Sequence, residues 1–253
     1  MSLGTIALLV VLSLAVGLLM GVLGGGGGGF YLVILIFVLK LPPAEAVGSS
    51  LVLSAITLAG AAVQYWRAGL VRRDYFAVLA ASGALSVVVG SFLLKGISEA
   101  VLKPGIIAVF LLSGASSLLR IGRGKMGATG PKPAKERLPA LAGIGALSGL
   151  LSGIFGLSGT TPLTSVLIGA FDLDPRAAVG TTTLVTLVIS LAGGLFHLGA
   201  GSLDLRTVAI FGAGSLVGAI GGAKLAQKID RKLITIIIAA MALASGIFLA
   251  FRR

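Results

Sequence analysis

Read for the spacing of its apolar and polar positions, the chain falls into ten apolar runs separated by short polar or glycine-rich breaks. They lie at about 5–23, 30–41, 44–66, 75–96 and 101–121, and again at about 138–156, 160–171, 177–198, 205–226 and 232–251. A bilayer core of about 30 Å takes about 20 helical residues at 1.5 Å each, so four runs in each set are long enough to cross. The second run of each set holds about 12 residues, roughly 18 Å as a helix. It is too short, and is expected to return part-way as a hairpin with the helix before it.

The break ahead of the first short run is six consecutive glycines, Gly24 to Gly29, in "GVLGGGGGGF". Glycine is about 1 kcal/mol worse than alanine at a helical position, so the run should end any helix that enters it. Either it is a linker, or irregular backbone is wanted at that depth.

Self-similarity then orders the chain. "LPPAEAVGSS" at 41–50 returns as "LDPRAAVGTT" at 173–182, an offset of 132 residues, and Ala68-Gly69 returns as Ala200-Gly201. At the same offset the glycine run falls on "GLSGTT", 156–161. Residues 1–121 and 138–253 therefore read as homologous halves. The linker at 122–137 is rich in Gly, Pro and basic residues, which cannot bury apolar surface.

Composition fixes the surroundings. Apolar residues make up 57% of 253 and charged residues 11%, and the mean hydropathy is +1.11, outside the range of soluble domains. The N-terminus has no basic residue ahead of its apolar run and no small-x-small cleavage site, so it is expected to be the first helix rather than a removable signal. There is no cysteine, hence no disulfide or thiolate metal site, and no cofactor is expected. The net charge of +12 would suit nucleic acid in a soluble protein. Here the accumulation of Lys and Arg in cytoplasmic loops explains it without nucleic acid.

Charge also orients the chain. If the linker is cytoplasmic and each first pair of runs is a hairpin, the halves are inverted. Then 14 of the 20 basic residues lie inside: Arg67, Arg72, Arg73, Arg120, Arg123, Lys125, Lys132, Lys135, Arg137, Arg176, Lys224, Lys228, Arg231 and Lys232. Parallel halves give 12 inside, so the positive-inside rule prefers inversion. The expected fold is an all-α polytopic membrane protein of two inverted halves, each four long helices plus one short half-helix after a Gly-rich loop. Inverted repeats with interrupted helices are the pattern of secondary transporters, whose substrate sits near the midplane where the repeats meet.

Backbone that is not helical survives in hydrocarbon only when packed in protein or lining a polar cavity. Both glycine-rich loops precede a short helix, whose free N–H groups and positive dipole end attract anions, and glycine lets a ligand come close. The cradle expected for a small oxyanion comprises Gly26, Gly27, Gly28 and Gly29 with Ser158, Gly159, Thr160 and Thr161. The hydroxyl pairs Ser49-Ser50 and Thr181-Thr182 are further candidates, or else helix back-bonds to carbonyls. Gln64 and His197 end equivalent runs, with Tyr65 at the position matching His197. They are candidates for gating or proton-linked roles, against an interfacial role near a helix end. Glu45 reads as a charge at a helix start. The ladders Gly145-Gly149-Gly153 and Gly214-Gly218-Gly222 have the spacing of close helix packing.

The duplicated motifs resemble those of the sulfite exporter TauE/SafE family, also called toluenesulfonate uptake permeases. That family carries a glycine-rich start, a "PxEAVGTS" stretch and a "G-x-x-D" loop. The first half supplies "GGGGGGF", "PPAEAVGSS" and "RAGLVRRD"; the second supplies "GLSGTTP", "DPRAAVGTT" and "GAGSLD". The resemblance implies transport of sulfur-containing oxyanions such as sulfite, thiosulfate or organosulfonates across a prokaryotic cytoplasmic membrane without a nucleotide-driven motor, and the expected partners are that anion and membrane lipid. The second loop departs from it, with Ser-Gly-Thr-Thr in place of glycines, as does Arg176-Ala177 where the first half has Ala44-Glu45. An inside-negative potential is worth about 2.3 kcal/mol per charge per 100 mV, enough to drive a monoanion outward. Two other classes compete with transport. A non-transporting membrane partner protein would move no anion in liposomes. "GLSG" also resembles the nucleophile motif of rhomboid intramembrane proteases, with Ser158 and His197 as the pair. The chain has no asparagine and a single histidine, so that family's oxyanion-stabilising His and Asn have no counterpart.

Overall fold

The computed structural model describes residues 3–24, 28–94, 134–156, 160–201 and 205–230, with scattered positions in 96–111 and 233–247. All regular structure among the described residues is helical. Helix α1 (Leu3–Leu23) stops at Gly24, and α2 (Gly28–Val33) runs on into a π-helical turn, Ile34–Val38. Then come α3 (Pro43–Arg67) and α4 (Arg73–Leu94). In the second half a 3-10 turn, Ala134–Arg137, leads into α5 (Leu138–Phe155), followed by α6 (Thr160–Ala170), α7 (Pro175–Gly199) and α8 (Leu205–Ala226). Five of these, α3, α4, α5, α7 and α8, are long and apolar enough to cross a membrane, and α1 adds the apolar stretch Val10–Leu23. Most of the expected linker and of the fifth run of each half lies outside the described residues, as do residues 25–27 and 157–159.

The 132-residue offset recurs in the backbone. The span 28–38 is matched by 160–170, α3 by α7 and α4 by α8, residue for residue at both ends. Positive φ recurs in pairs as well: Gly24 and Gly156 (67° and 63°), Lys40 and Asp172 (54° and 53°), Gly69 and Gly201 (68° and 67°). Helix starts are solved by different chemistry at equivalent places. Pro43 opens α3 with Glu45 in its first turn, whereas Asp174 caps α7 by accepting from the N–H groups of Arg176 and Ala177. In one respect the sequence expectation is corrected: Gly28 and Gly29 belong to the first turn of α2 and not to irregular backbone. The buried side chains of Tyr31, Leu32 and Leu35 fix that helix, and packing overrides the propensity of two glycines at its start.

Helix directions follow from residue contacts. Leu51 and Val52 lie against Gly193 and Gly194, whereas Leu70, just past α3, lies against Gly180 near the start of α7. The two central helices are therefore antiparallel. Ser13, Gly17 and Gly21 of α1 meet Gly214, Ser215 and Ala219 of α8 in that order, so these two run parallel. Likewise Leu79, Gly83 and Val87 of α4 meet Gly145, Gly149 and Gly153 of α5 in parallel. Ile56 and Gly60 of α3 meet Gly212 and Leu216 of α8, so α1, α3 and α8 share one direction. Gly83 and Val87 meet Ile189 and Gly193, which sets α4, α5 and α7 in the other. Each half thus lays its first helix on the last long described helix of the other half.

The glycine ladders make this exchange possible. A methyl at Gly149 would land on the carbonyl of Gly83, one at Gly153 on that of Val87, one at Gly218 on that of Leu14 and one at Gly222 on that of Leu18. Backbones this close exclude any side chain, as small-residue packing in membranes requires.

The ends of α3 and α8 and the starts of α4, α5 and α7 gather at one end of the bundle. That end carries Arg67, Arg72, Arg73, Lys135, Arg137, Arg176, Lys224 and Lys228, all among the fourteen cations assigned to the inside. Several are fixed in place. Arg72 pairs with Asp74 at 2.8 Å, Arg73 and Arg137 stack over Trp66 and Phe171, and Arg176 donates to the carbonyl of Ile229 at 2.7 Å. At the opposite end the described cations are Lys40 and Arg206.

Candidate functional site

Each glycine-rich loop is entered through a left-handed glycine packed into the other half. A methyl at Gly24 would lie 2.6 Å from the carbonyl oxygen of Val179 and 2.9 Å from Thr183 Oγ1; at Gly156 it would lie 2.8 Å from Ser50 Oγ and 3.1 Å from Val47 Cα. Positive φ and lack of room both demand glycine at these two positions. The repeated "AVGSS" and "AVGTT" stretches are thus the walls against which the opposite loop turns.

Three hydroxyls of those stretches, on Ser50, Thr181 and Thr182, bond to helix carbonyls, as expected of buried serine and threonine. They also reach further. The Ser50 hydroxyl is shared between the carbonyls of Val47 (2.8 Å) and Gly156 (3.0 Å). Thr181 Oγ1 donates to Ala177 at 2.7 Å and accepts from the Arg72 N–H at 3.0 Å, which ties the α3–α4 turn to the start of α7. Thr182 Oγ1 bonds back to Ala178 and meets Thr164 Oγ1 of α6 at 2.9 Å. Ser49 is fully buried beside them. Of the expected cradle, Gly26, Gly27, Ser158 and Gly159 lie outside the described residues, while Gly28, Gly29, Thr160 and Thr161 form the first turns of α2 and α6.

Depth can be read from the hydrogen bonds. Tyr31, three residues into α2, brings its hydroxyl to 2.6 Å from Thr57 Oγ1, which is 2.8 Å from Ser215 Oγ. Thr57 lies near the middle of α3 and Ser215 near the middle of α8, so α2 begins near mid-depth. On the other side, Thr164 meets Thr182 about two turns into α7, and Thr160 stands one turn deeper. Both short helices therefore start within the bundle, not at its surface.

Tyr31, Thr57 and Ser215 were not among the sequence candidates. Their equivalents at the 132-residue offset are Leu163, Ile189 and Gly83, so a search for repeated chemistry passes over them. Their only sequence signal is a hydroxyl in the middle of an apolar run. Gln64 is half-buried near the end of α3. His197, two residues from the end of α7, is only 4% exposed and packs edge-on to Phe196. Tyr65, at the matching position of α3, is buried too and donates to the carbonyl of Gly21 at 2.8 Å. Position near a helix end has not brought either ring to the surface.

Comparison with known proteins places the chain. It is 25% identical over 245 residues to "Probable membrane transporter protein YdhB" of Bacillus subtilis, covering 96% of this chain and all of that one. It is also 25% identical over 252 residues to "Probable membrane transporter protein YjnA" of the same organism, covering 94% and 97%. No solved structure matches. The family model described as "Sulfite exporter TauE/SafE" matches residues 9–249, so this multi-pass protein of the prokaryotic cell membrane belongs to the TauE/SafE family of membrane transporters.

Proposed function

We propose that the chain is a secondary transporter that exports small sulfur-containing oxyanions, such as sulfite, thiosulfate or organosulfonates. One anion would bind near mid-depth, between the starts of α2 and α6. The observation that carries this reading is the exchange at the loops: Gly24 turns against Val179 and Thr183, and Gly156 against Val47 and Ser50. Two interrupted elements, one from each half, are thereby set inside the bundle with their helix starts at depth. Free N–H groups there suit an anion, and a polar cavity is one of the two settings, with packing inside protein, in which such backbone survives at depth.

The same reading takes residues 1–121 and 138–253 as inverted repeats joined by a cytoplasmic linker at 122–137. Antiparallel α3 and α7 support the inversion, and the basic end of the bundle supports its orientation. Export needs no coupled ion for a monoanion, since the membrane potential supplies about 2.3 kcal/mol per charge per 100 mV.

Purified protein reconstituted in liposomes tests the proposal. Efflux of sulfite or thiosulfate from loaded vesicles should exceed that from protein-free vesicles and rise when the interior is made negative. If sulfite, thiosulfate and toluenesulfonate all leak at the protein-free rate, the proposal is wrong and a non-transporting membrane role replaces it.

A further inference from the structure

Two hydroxyls on the central helices are not explained by back-bonding. Ser54 on α3 and Ser190 on α7 are fully buried, and neither oxygen has a hydrogen-bond partner. On the same helices Ser50, Thr57, Thr181, Thr182 and Thr183 each bond to a carbonyl three or four residues back. Any helical serine can make that bond, so these two are distinguished by not making it.

Their positions converge. Leu51 touches Gly193, and because α3 and α7 are antiparallel, three residues forward on one and three back on the other lead the same way. Those steps reach Ser54 and Ser190, at one level near the middle of the bundle. Ser54 stands one turn from Ser50 and two from Val47, on the face of α3 that receives the Gly156 turn. Ser190 stands two turns from Thr183 and three from Val179, on the face of α7 that receives the Gly24 turn. The faces that hold the two glycine-rich loops thus each present an unpaired hydroxyl at the same depth. Buried polar groups in native proteins are almost always satisfied, and two orphans at one level point to a partner that comes from outside the chain.

We propose that Ser54 and Ser190 are hydroxyl donors to one small oxyanion bound in the α3–α7 seam. The inference rests on the transport reading above and adds side-chain donors to the helix starts. A hydroxyl aimed at an anionic oxygen makes a short, charge-assisted bond. Being neutral, it holds the anion without a fixed counter-charge, so that the anion can also leave.

The test uses the full-length purified protein, with sulfite binding followed by calorimetry and sulfite counterflow in proteoliposomes. Ser54→Ala and Ser190→Ala should each raise the sulfite Kd about tenfold or more and slow counterflow. The ligand-free Tm should stay level or rise, because the hydroxyl removed had no partner. Ser54→Thr, which installs the residue found at the equivalent position 186, keeps the donor and should keep the Kd within about threefold of the parent. Ser86→Ala on α4, whose hydroxyl bonds to the Gly83 carbonyl, should leave the Kd unchanged. If the parent binds sulfite and both alanine variants bind it equally well, Ser54 and Ser190 are not ligands, and the transport reading stands without them. A parent that binds neither sulfite nor thiosulfate nor toluenesulfonate overturns the transport reading and this inference with it.

Discussion

Helix α8 carries two glycines one turn apart with opposite surroundings, and substituting each by alanine separates packing from propensity. At Gly218 the new methyl lands on the carbonyl oxygen of Leu14 and within 2.8 Å of the Leu18 nitrogen. Both are backbone atoms of α1, so no side chain can swing aside; the helices must part. At Gly221 nothing lies within 4 Å. Overpacking of the first kind costs about 1–3 kcal/mol, while alanine in place of an open helical glycine gains about 1 kcal/mol. The two variants should therefore differ by about 2–4 kcal/mol in stability, from the sum of those ranges. For a chain of this size about 2–4 °C of Tm accompanies each kcal/mol, which gives a gap of about 4–16 °C with Gly221→Ala on the high side. Thermal unfolding in detergent, followed by the fluorescence of the single tryptophan, Trp66, measures it. The other half supplies an independent pair on α5: Gly149, whose methyl would land on the Gly83 carbonyl, and Gly143, with nothing within 4 Å. Should Gly218→Ala melt at or above Gly221→Ala, α1 and α8 do not pack through this ladder and the exchange of helices between halves is wrong.

Other expectations bear on the loops and the orientation. Gly24→Ala meets both strain at positive φ and the Val179 carbonyl, whereas Gly69→Ala has the same φ and open space; the first should melt lower, and a Tm no lower than that of Gly69→Ala would deny the loop contact. Tyr31→Phe removes the bond to Thr57 and should cost about 1 kcal/mol, read as a Tm fall with unchanged helical circular dichroism; an unaltered Tm would mean the cluster does not hold α2. Gly27→Ala and Thr160→Val should weaken sulfite binding, the first by about tenfold to a hundredfold and the second by about tenfold; equal affinity in both would make the loops structural only. Reporter fusions should place residue 130 in the cytoplasm and the C-terminus outside it, and a cytoplasmic C-terminus would leave parallel halves.

The bounds of α3, α4, α7 and α8 were legible because the residues that set backbone direction are themselves repeated. Pro43 and Pro175 open equivalent helices, and Gly69 and Gly201 close them with the same left-handed turn. The clustering of cations was legible because charge cannot be buried in hydrocarbon without a partner, so it marks helix ends. Which helix packs on which was not. A Gly-x-x-x-Gly face says that something approaches closely, and Gly214, Gly218 and Gly222 would read the same against any neighbour; only the contacts with Ser13, Leu14 and Leu18 name α1. The mid-depth hydroxyls were hidden for another reason. Tyr31, Thr57, Ser54 and Ser190 are single polar groups in apolar runs, and their weight comes from what they meet or fail to meet across helices, which no local pattern encodes.

Those hydroxyls also mark where the two halves cease to be equivalent. In a transporter of two identical inverted halves, the forms open to either side would have the same energy, since exchanging the halves converts one into the other. Here Tyr31, Thr57 and Ser215 tie α2 to α3 and α8, and the matching positions Leu163, Ile189 and Gly83 can form no such hydrogen bonds. Helix α6 is held instead by the Thr164–Thr182 pair, a different bond at a different level, where the first half has Leu32 and Ser50. Moving α2 against α3 therefore breaks other interactions than moving α6 against α7, and no symmetry makes the two forms of the proposed transporter equal in energy. Any difference in energy sets their resting populations, whereas the direction of net flux is set by the anion gradient and the membrane potential. Removing the Tyr31 hydroxyl should consequently alter the rate at which the anion crosses without altering which way it goes.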